Sequence, residues 1–108
     1  MSKNNISDEL IIETSARIAN KVGLDNLSLK IIAEELNIKS PSLYNHISSL
    51  DEIKSQLMVY GWKQIEEKMI DSAVGVSGYE ALKNMCNFFY GYATNNKGIF
   101  TAMLWYNK

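Results

Sequence analysis

The sequence predicts an all-α fold: a three-helix bundle holding a helix-turn-helix, then a long fourth helix and the start of a second helical unit. Three observations carry this. Apolar residues recur at three- and four-residue spacing along most of the 108 residues. Alternating β-branched and aromatic runs joined by tight Gly-rich turns, the marks of strands, are missing. Serines stand where the periodic segments begin, and Gly or Asn where several of them end.

The first helix is expected over about Ser7 to Val22, with Ile11, Ser15, Ile18 and Val22 on one stripe and Ile12 and Ala19 widening it. Gly23 can close it, and Leu24 can pack back on its last turn. Asp25-Asn26 reads as a turn, Leu27 as a core plug and Ser28 as an N-cap. A short second helix over about 29 to 36 turns Leu29, Ile32, Ala33 and Leu36 inward. Asn37 suits a left-handed turn position. Ser40-Pro41 opens a third short helix, a cap hydroxyl followed by proline at the first helical position, with Leu43 and Ile47 as its buried edge. Ser49-Leu50-Asp51-Glu52 is a capping box that starts the long fourth helix, carrying Ile53, Leu57, Tyr60, Ile65 and Met69 up to the Gly75–Gly78 break. A fifth helix over about Tyr79 to Thr94 is expected to bury Leu82, Met85, Cys86, Phe89 and Ala93. Asn95-Asn96-Lys97-Gly98 ends it, and the apolar run Ile99 to Tyr106 begins a sixth.

Composition narrows the function classes. Formal net charge is -1, and residues 1–50 hold five Lys/Arg against six Asp/Glu, so any polyanion would have to be bound by local placement of charge. One cysteine excludes an internal disulfide, and one Cys with one distant His makes neither a four-ligand zinc site nor a recognisable catalytic pair. No titratable pair converges, so neither an enzyme nor a bound cofactor or metal is expected. No basic leader with an apolar run is present, and no apolar stretch approaches the roughly 20 residues that cross a bilayer. A cytoplasmic location is the expectation, with no membrane partner.

The informative stretch is Leu29 to Ile47. Two short helices are joined by a three-residue turn, and the small Ala33 lets them cross closely while Ile32, Leu36, Ile38, Leu43 and Ile47 fix their angle. This is helix-turn-helix spacing, in which the second helix offers its outer face to a major groove. With Leu43 and Ile47 inward, Ser40, Pro41, Ser42 and Asn45 form a small polar face able to approach base edges. Asn can bond adenine, and Ser is permissive. Tyr44, His46, Lys30 and Lys39 can reach the sugar-phosphate backbone at the sides.

Residues 27–38, Leu-Ser-Leu-Lys-Ile-Ile-Ala-Glu-Glu-Leu-Asn-Ile, resemble the first helix of the helix-turn-helix in the TetR (tetracycline-repressor) family. Residues 40–47, Ser-Pro-Ser-Leu-Tyr-Asn-His-Ile, resemble its recognition helix, often written Leu-Tyr-x-His-Phe/Val. The likeness covers roughly residues 8 to 60. It implies base contacts from Ser40, Pro41, Ser42 and Asn45 with Lys30 reaching in, and phosphate contacts from Ser28, Lys39, Tyr44 and His46. Asn37 departs from the usual turn glycine, and Leu50 from a frequent lysine at the head of the fourth helix. Ser-Leu-Asp-Glu-Ile at 49–53 is similar to a subgroup whose downstream domain is called WHG, which Tyr90 to Leu104 fits loosely.

The resemblance further implies a repressor of transcription that binds a palindromic double-stranded DNA operator as a homodimer and is released by a small-molecule effector. It divides the chain into a DNA-binding domain at 1–50 and the beginning of an effector-binding and dimerisation domain at 51–108. Trp62, Phe89, Tyr92 and Phe100 are the effector-pocket candidates within that aromatic second half. Plainer readings stand beside these. The aromatic residues are also what an ordinary helical core uses, and Cys86 reads as a buried inert thiol. Tyr44 could pack on the first helix, His46 could be a plain exposed residue, and Ser28 and Ser40 are caps whatever else they do. The rival class is a helical ligand- or protein-binding module that keeps the fold without binding DNA. The chain reads either as a piece of a longer regulator or as a short protein in its own right.

Overall fold

In the computed structural model, which describes residues 6–105, helices α1, α2 and α4 begin at serines whose hydroxyls satisfy one of the first free backbone N–H groups. Helix α1 (Asp8–Val22) starts at Ser7, whose Oγ accepts from Leu10 N–H at 3.0 Å. Asp8 and Glu9 place negative charge at the positive end of its dipole. It closes at Gly23, with φ 95°, through Gly23 N–H to Ala19 O at 2.8 Å. Ile11, Ile12, Ser15, Ile18 and Ala19 are buried as the stripe predicts, and Ser15 donates to Ile11 O at 2.7 Å. Val22 departs from it, standing 41% exposed, because the chain leaves the helix there and Leu24 supplies the next core side chain. Leu24–Asn26 is a 3₁₀ turn, and Leu27 is buried behind it.

Helix α2 (Leu29–Leu36) has the expected bounds. Ser28 Oγ accepts from Ile31 N–H at 3.2 Å, and Ile32 and Ala33 are buried. Asn37 adopts φ 60° and ψ 44°, and Ile38 N–H reaches back to Ala33 O at 3.0 Å, a Schellman-type closure. Asn37 is the one non-glycine residue with positive φ among the described residues. Replacing it with Ala is expected to cost about 1 kcal/mol in urea unfolding, whereas Asn37→Gly leaves stability near the wild-type value.

Helix α3 corrects the expectation at both ends. It spans Ser40–Leu43, with Lys39 as N-cap, so Ser40 is its first residue and caps nothing. The helix lasts a single turn because the hydrogen bonds tighten: Tyr44 N–H bonds Pro41 O, Asn45 N–H bonds Ser42 O, and His46 N–H bonds Leu43 O. Three-residue bonding of this kind brings side chains three apart into line. Leu43 and Ile47 are both buried, as the sequence indicates.

Helix α4 (Leu50–Ser72) begins at Ser49, whose Oγ accepts from Glu52 N–H at 3.1 Å. The expected box closes one residue early. Glu52 accepts from both Ser48 N–H and Ser48 Oγ at 2.6 Å, and these bonds hold its carboxyl below the usual range. Ile53, Leu57, Gly61 and Ile65 are buried along α4.

Helix α5 (Gly78–Asn95) is rotated from the predicted stripe by about one residue. Leu82 is 56% exposed and Cys86 is exposed; neither joins the core. Tyr92 is buried instead, with Phe88 and Phe89 packed against the core. The helix is apolar on more than one side, so periodicity alone does not select the face that α4 covers. Helix α6 (Lys97–Trp105) follows after Asn96 alone, so Lys97 and Gly98 belong to it; Tyr106 lies outside the described residues.

Helices α4, α1 and α6 share the core, with Ile99, Ala102 and Met103 buried on α6. Gly61 lets α6 lie close on α4: a Cβ there would stand 2.6 Å from Met103 Sδ and 2.7 Å from Ile99 Cγ2. Gly98 lets the start of α6 lie against the backbone of Ala19 and Asn20 on α1. Asn20 ties this junction, accepting from Ile99 N–H and donating to Asn96 Oδ1, both at 3.0 Å. Among the described residues no helix is long and apolar enough to cross a membrane.

Candidate nucleic-acid interface

The candidate site is built by α2, the Asn37 turn and α3. Leu43 anchors α3 from beneath, and every residue on its outer side is then left to solvent. Pro41, Ser42, Tyr44 and Asn45 are exposed, Ser40 and His46 are half-buried, and Lys39 stands exposed just ahead of them. The tight turn after Leu43 aligns Asn45 with Ser42, so the two polar residues named as base readers share one line. Tyr44, 56% exposed, does not pack its ring into the bundle. Lys30 is exposed in the first turn of α2, and Ser28 is engaged as the cap of that helix. The structure thus places Lys39 to Ser42 and Tyr44 to His46 around the buried Leu43 and leaves Ser28 and Lys30 at the far end of α2.

His46 is the exception to this solvated face. Its Nδ1 lies 2.9 Å from Asp8 Oδ1 at the head of α1. Asp8 has no signal in the sequence beyond that of an acid in a first helical turn, and nothing in its spacing points to a histidine 38 residues away. A second cross-helix pair, Arg17 Nη2 to Glu35 Oε2 at 3.2 Å, joins α1 to α2 between exposed side chains. Pairs of this kind add only about 0.2–1 kcal/mol.

The four pocket candidates do not converge on one cavity. Phe89 and Phe100 meet edge to face at 5.7 Å between ring centres, across α5 and α6. Tyr92 donates to Gln64 Oε1 at 2.7 Å, and Gln64 Nε2 donates to Tyr60 Oη at 3.1 Å, a polar chain between α5 and α4. Trp62 stands 46% exposed on α4. A cleft of about 570 Å³ opens elsewhere, between α1 and α4, lined among others by Asp8, Glu9, Glu13, Tyr60, Lys63 and Glu67. None of the four aromatic candidates lines it.

Burial pushes the Tyr92 phenol up to about 12, with Tyr60 adding to the shift. A raised value favours the neutral hydroxyl in the folded chain. Its contribution to stability is therefore complete below the ordinary tyrosine value near 10 and is lost as pH rises toward 12. Unfolding of Tyr92→Phe should accordingly depend less on pH between 10 and 12 than that of the wild type, as urea midpoints across that range would show.

No family model matches the chain. An uncharacterized HTH-type (helix-turn-helix-type) transcriptional regulator of Bacillus subtilis, YobS, is 30% identical over 99 residues, which cover 92% of this chain and 52% of that protein. A second uncharacterized HTH-type transcriptional regulator, from Mycobacterium tuberculosis, is 27% identical over 97 residues, covering 90% of this chain and 44% of that protein. The chain is similar to helix-turn-helix transcriptional regulators. It spans about half the length of the curated relatives it matches. Both alignments extend over nine-tenths of the chain, so the likeness takes in the helices after the helix-turn-helix as well.

Proposed function

We propose that residues 1–50 are the DNA-binding domain, and residues 51–108 the beginning of the effector-binding and dimerisation domain, of a TetR-type repressor of transcription that reads a palindromic operator as a homodimer and is released from it by a small molecule. The observation that carries the reading is the solvated polar face Ser40, Pro41, Ser42 and Asn45, held on a one-turn helix by Leu43 and reached through a left-handed Asn37. Those side chains neither cap nor fill the core, and they stand where a helix-turn-helix meets base edges. The names of the two relatives favour the same class. Lys30 would join the base contacts, and Ser28, Lys39, Tyr44 and His46 would hold phosphates. Two copies would set their recognition faces about 34 Å apart, one turn of DNA.

Release by ligand would act through α4, which follows the recognition segment directly and packs against α1, α5 and α6. A small molecule taken up between α4 and the helices that follow it would bias α4 between two positions and so change the spacing of the recognition faces. A ligand that binds the chain and leaves operator affinity unchanged would count against this step.

The decisive experiment is selection from a pool of random duplex DNA at low salt, with the wild type and with a Ser42→Ala/Asn45→Ala double variant. Enrichment of a palindromic sequence by the wild type, relaxed in the double variant by roughly tenfold or more in affinity, is expected. If neither selects DNA, even when fused to a dimerisation domain, the chain is instead a helical ligand- or protein-binding module. The near-balanced charge of residues 1–50 and the acidic cleft between α1 and α4 are the features that favour this second reading.

A further inference from the structure

We infer that the outer face of α5 is an interface with a second copy of this chain, the two α5 helices lying antiparallel with Cys86 at the centre. The inference rests on the homodimer of the proposed function, to which it gives a surface. Helix α5 carries two apolar stripes. One, with Phe88 and Tyr92, packs into the core of its own chain. The other, Tyr79, Leu82, Cys86, Tyr90 and Ala93, recurs at three- and four-residue spacing over about four turns and is left outside that core. A helix that is apolar on both sides is built to be covered on both sides. Tyr79 is 75% exposed and Tyr90 72%, with Leu82 and Cys86 open between them.

The stripe is complementary to its own reverse, and this selects the occupant. A two-fold axis through Cys86 sets residues equally far from it opposite each other. The bulky Tyr79 then meets the small Ala93, Leu82 meets Tyr90, and thiol meets thiol. The charges agree with this direction. Glu80 falls opposite Tyr92 and Lys83 opposite Phe89, so neither faces its own kind. A parallel pairing would bring Glu80 toward Glu80 and Lys83 toward Lys83, a like-charge cost on both edges. The area is also of the right order. With a whole tyrosine at roughly 150–250 Å², the exposed parts of Tyr79, Leu82, Cys86 and Tyr90 amount to on the order of 500 Å² per chain. Exposed Lys83, Asn87 and Thr94 add a polar rim, which brings the face close to the ~800 Å² that each partner of a stable complex buries.

The test is sedimentation equilibrium of the chain without DNA. The wild type should give twice the monomer mass. Leu82→Glu and Tyr90→Glu each set a charge in the desolvated centre and should weaken self-association by roughly a hundredfold. Both side chains are open to solvent in the single chain, so each variant should keep the wild-type helix content by circular dichroism. Cys86 is the single cysteine and supplies a second readout. Diamide should take two hydrogens from a pair of Cys86 thiols and join two chains through one disulfide, because thiols that meet on the axis lie within bonding reach. Cross-linking should vanish in Cys86→Ser and fall in Leu82→Glu. A monomeric wild type overturns the inference, as does a dimer that survives both glutamate variants or that diamide does not join. The DNA reading is judged apart. A wild type that dimerises as described and selects no duplex keeps the interface and loses that reading; a monomer that selects a duplex does the reverse.

Discussion

Replacing Gly98 with alanine is expected to lower stability by about 3 kcal/mol and Tm by about 15 °C, among the largest effects of any single methyl group in this chain. The added Cβ would fall inside the van der Waals envelope of the Ala19 carbonyl carbon and oxygen and 2.6 Å from Asn20 N. These are backbone atoms in the last turn of α1, where Ala19 O already accepts the closing Gly23 N–H, and they have no rotamer to move into. Either α6 lifts away from α1, losing the burial of Ile99 and Ala102, or α1 bends. A second glycine supplies the control. Gly91 lies inside α5 with open space where its Cβ would be, so Gly91→Ala should stabilise by about 0.5 kcal/mol through helix propensity alone. The two variants differ by the same atoms and should shift the urea midpoint in opposite directions. Equal midpoints for Gly98→Ala and the wild type would mean that α6 does not sit on α1 as closely as described.

The second large effect is expected at Leu43. It is fully buried and is the sole core side chain within the one turn of α3. Four residues cannot sustain a helix by hydrogen bonding, so tertiary anchoring holds this element in place. Leu43→Ala should cost about 3 kcal/mol by calorimetry or urea unfolding, from lost burial and the cavity left behind. Duplex selection should disappear in the same variant even at temperatures where the chain remains folded, because the polar face loses its support before the bundle does. Tyr44→Ala is the contrast: its side chain is open to solvent, so stability should change by under about 0.5 kcal/mol while affinity for DNA falls. A Leu43→Ala variant that unfolds like the wild type would show that α3 is held from elsewhere.

Where local chemistry and tertiary packing agree, the sequence is a sufficient guide. Ser28, Ser49 and Gly23 mark helix ends by what their own atoms can do, and each stands at the end expected. Asn37 is in the left-handed region for the same reason. Where the deciding partner is distant, local pattern gives out. The apolar residues of α5 fit two stripes one residue apart, and only contact with α4 selects Phe88, Phe89 and Tyr92 over Leu82 and Cys86. Helical spacing foretells that α3 begins near Ser40 but not that its bonding tightens at Tyr44. In the candidate site, the exposed residues were legible because each lacks a structural use. Asp8 was not, since its helix-dipole role already accounts for an acid in that place and the partner lies 38 residues on.

Asn20 carries a consequence for how the chain assembles. Its side-chain oxygen receives the N–H of Ile99, the third residue of α6, which is the service an N-cap normally performs from the residue just before its own helix. The residue in that place, Asn96, turns its amide nitrogen back to Tyr92 O and offers its oxygen to Asn20. The cap of α6 therefore comes from 79 residues away, and closing that loop must precede the reward of making it. The first turn of α6 therefore gains its cap only when the two halves of the chain dock, not ahead of that step.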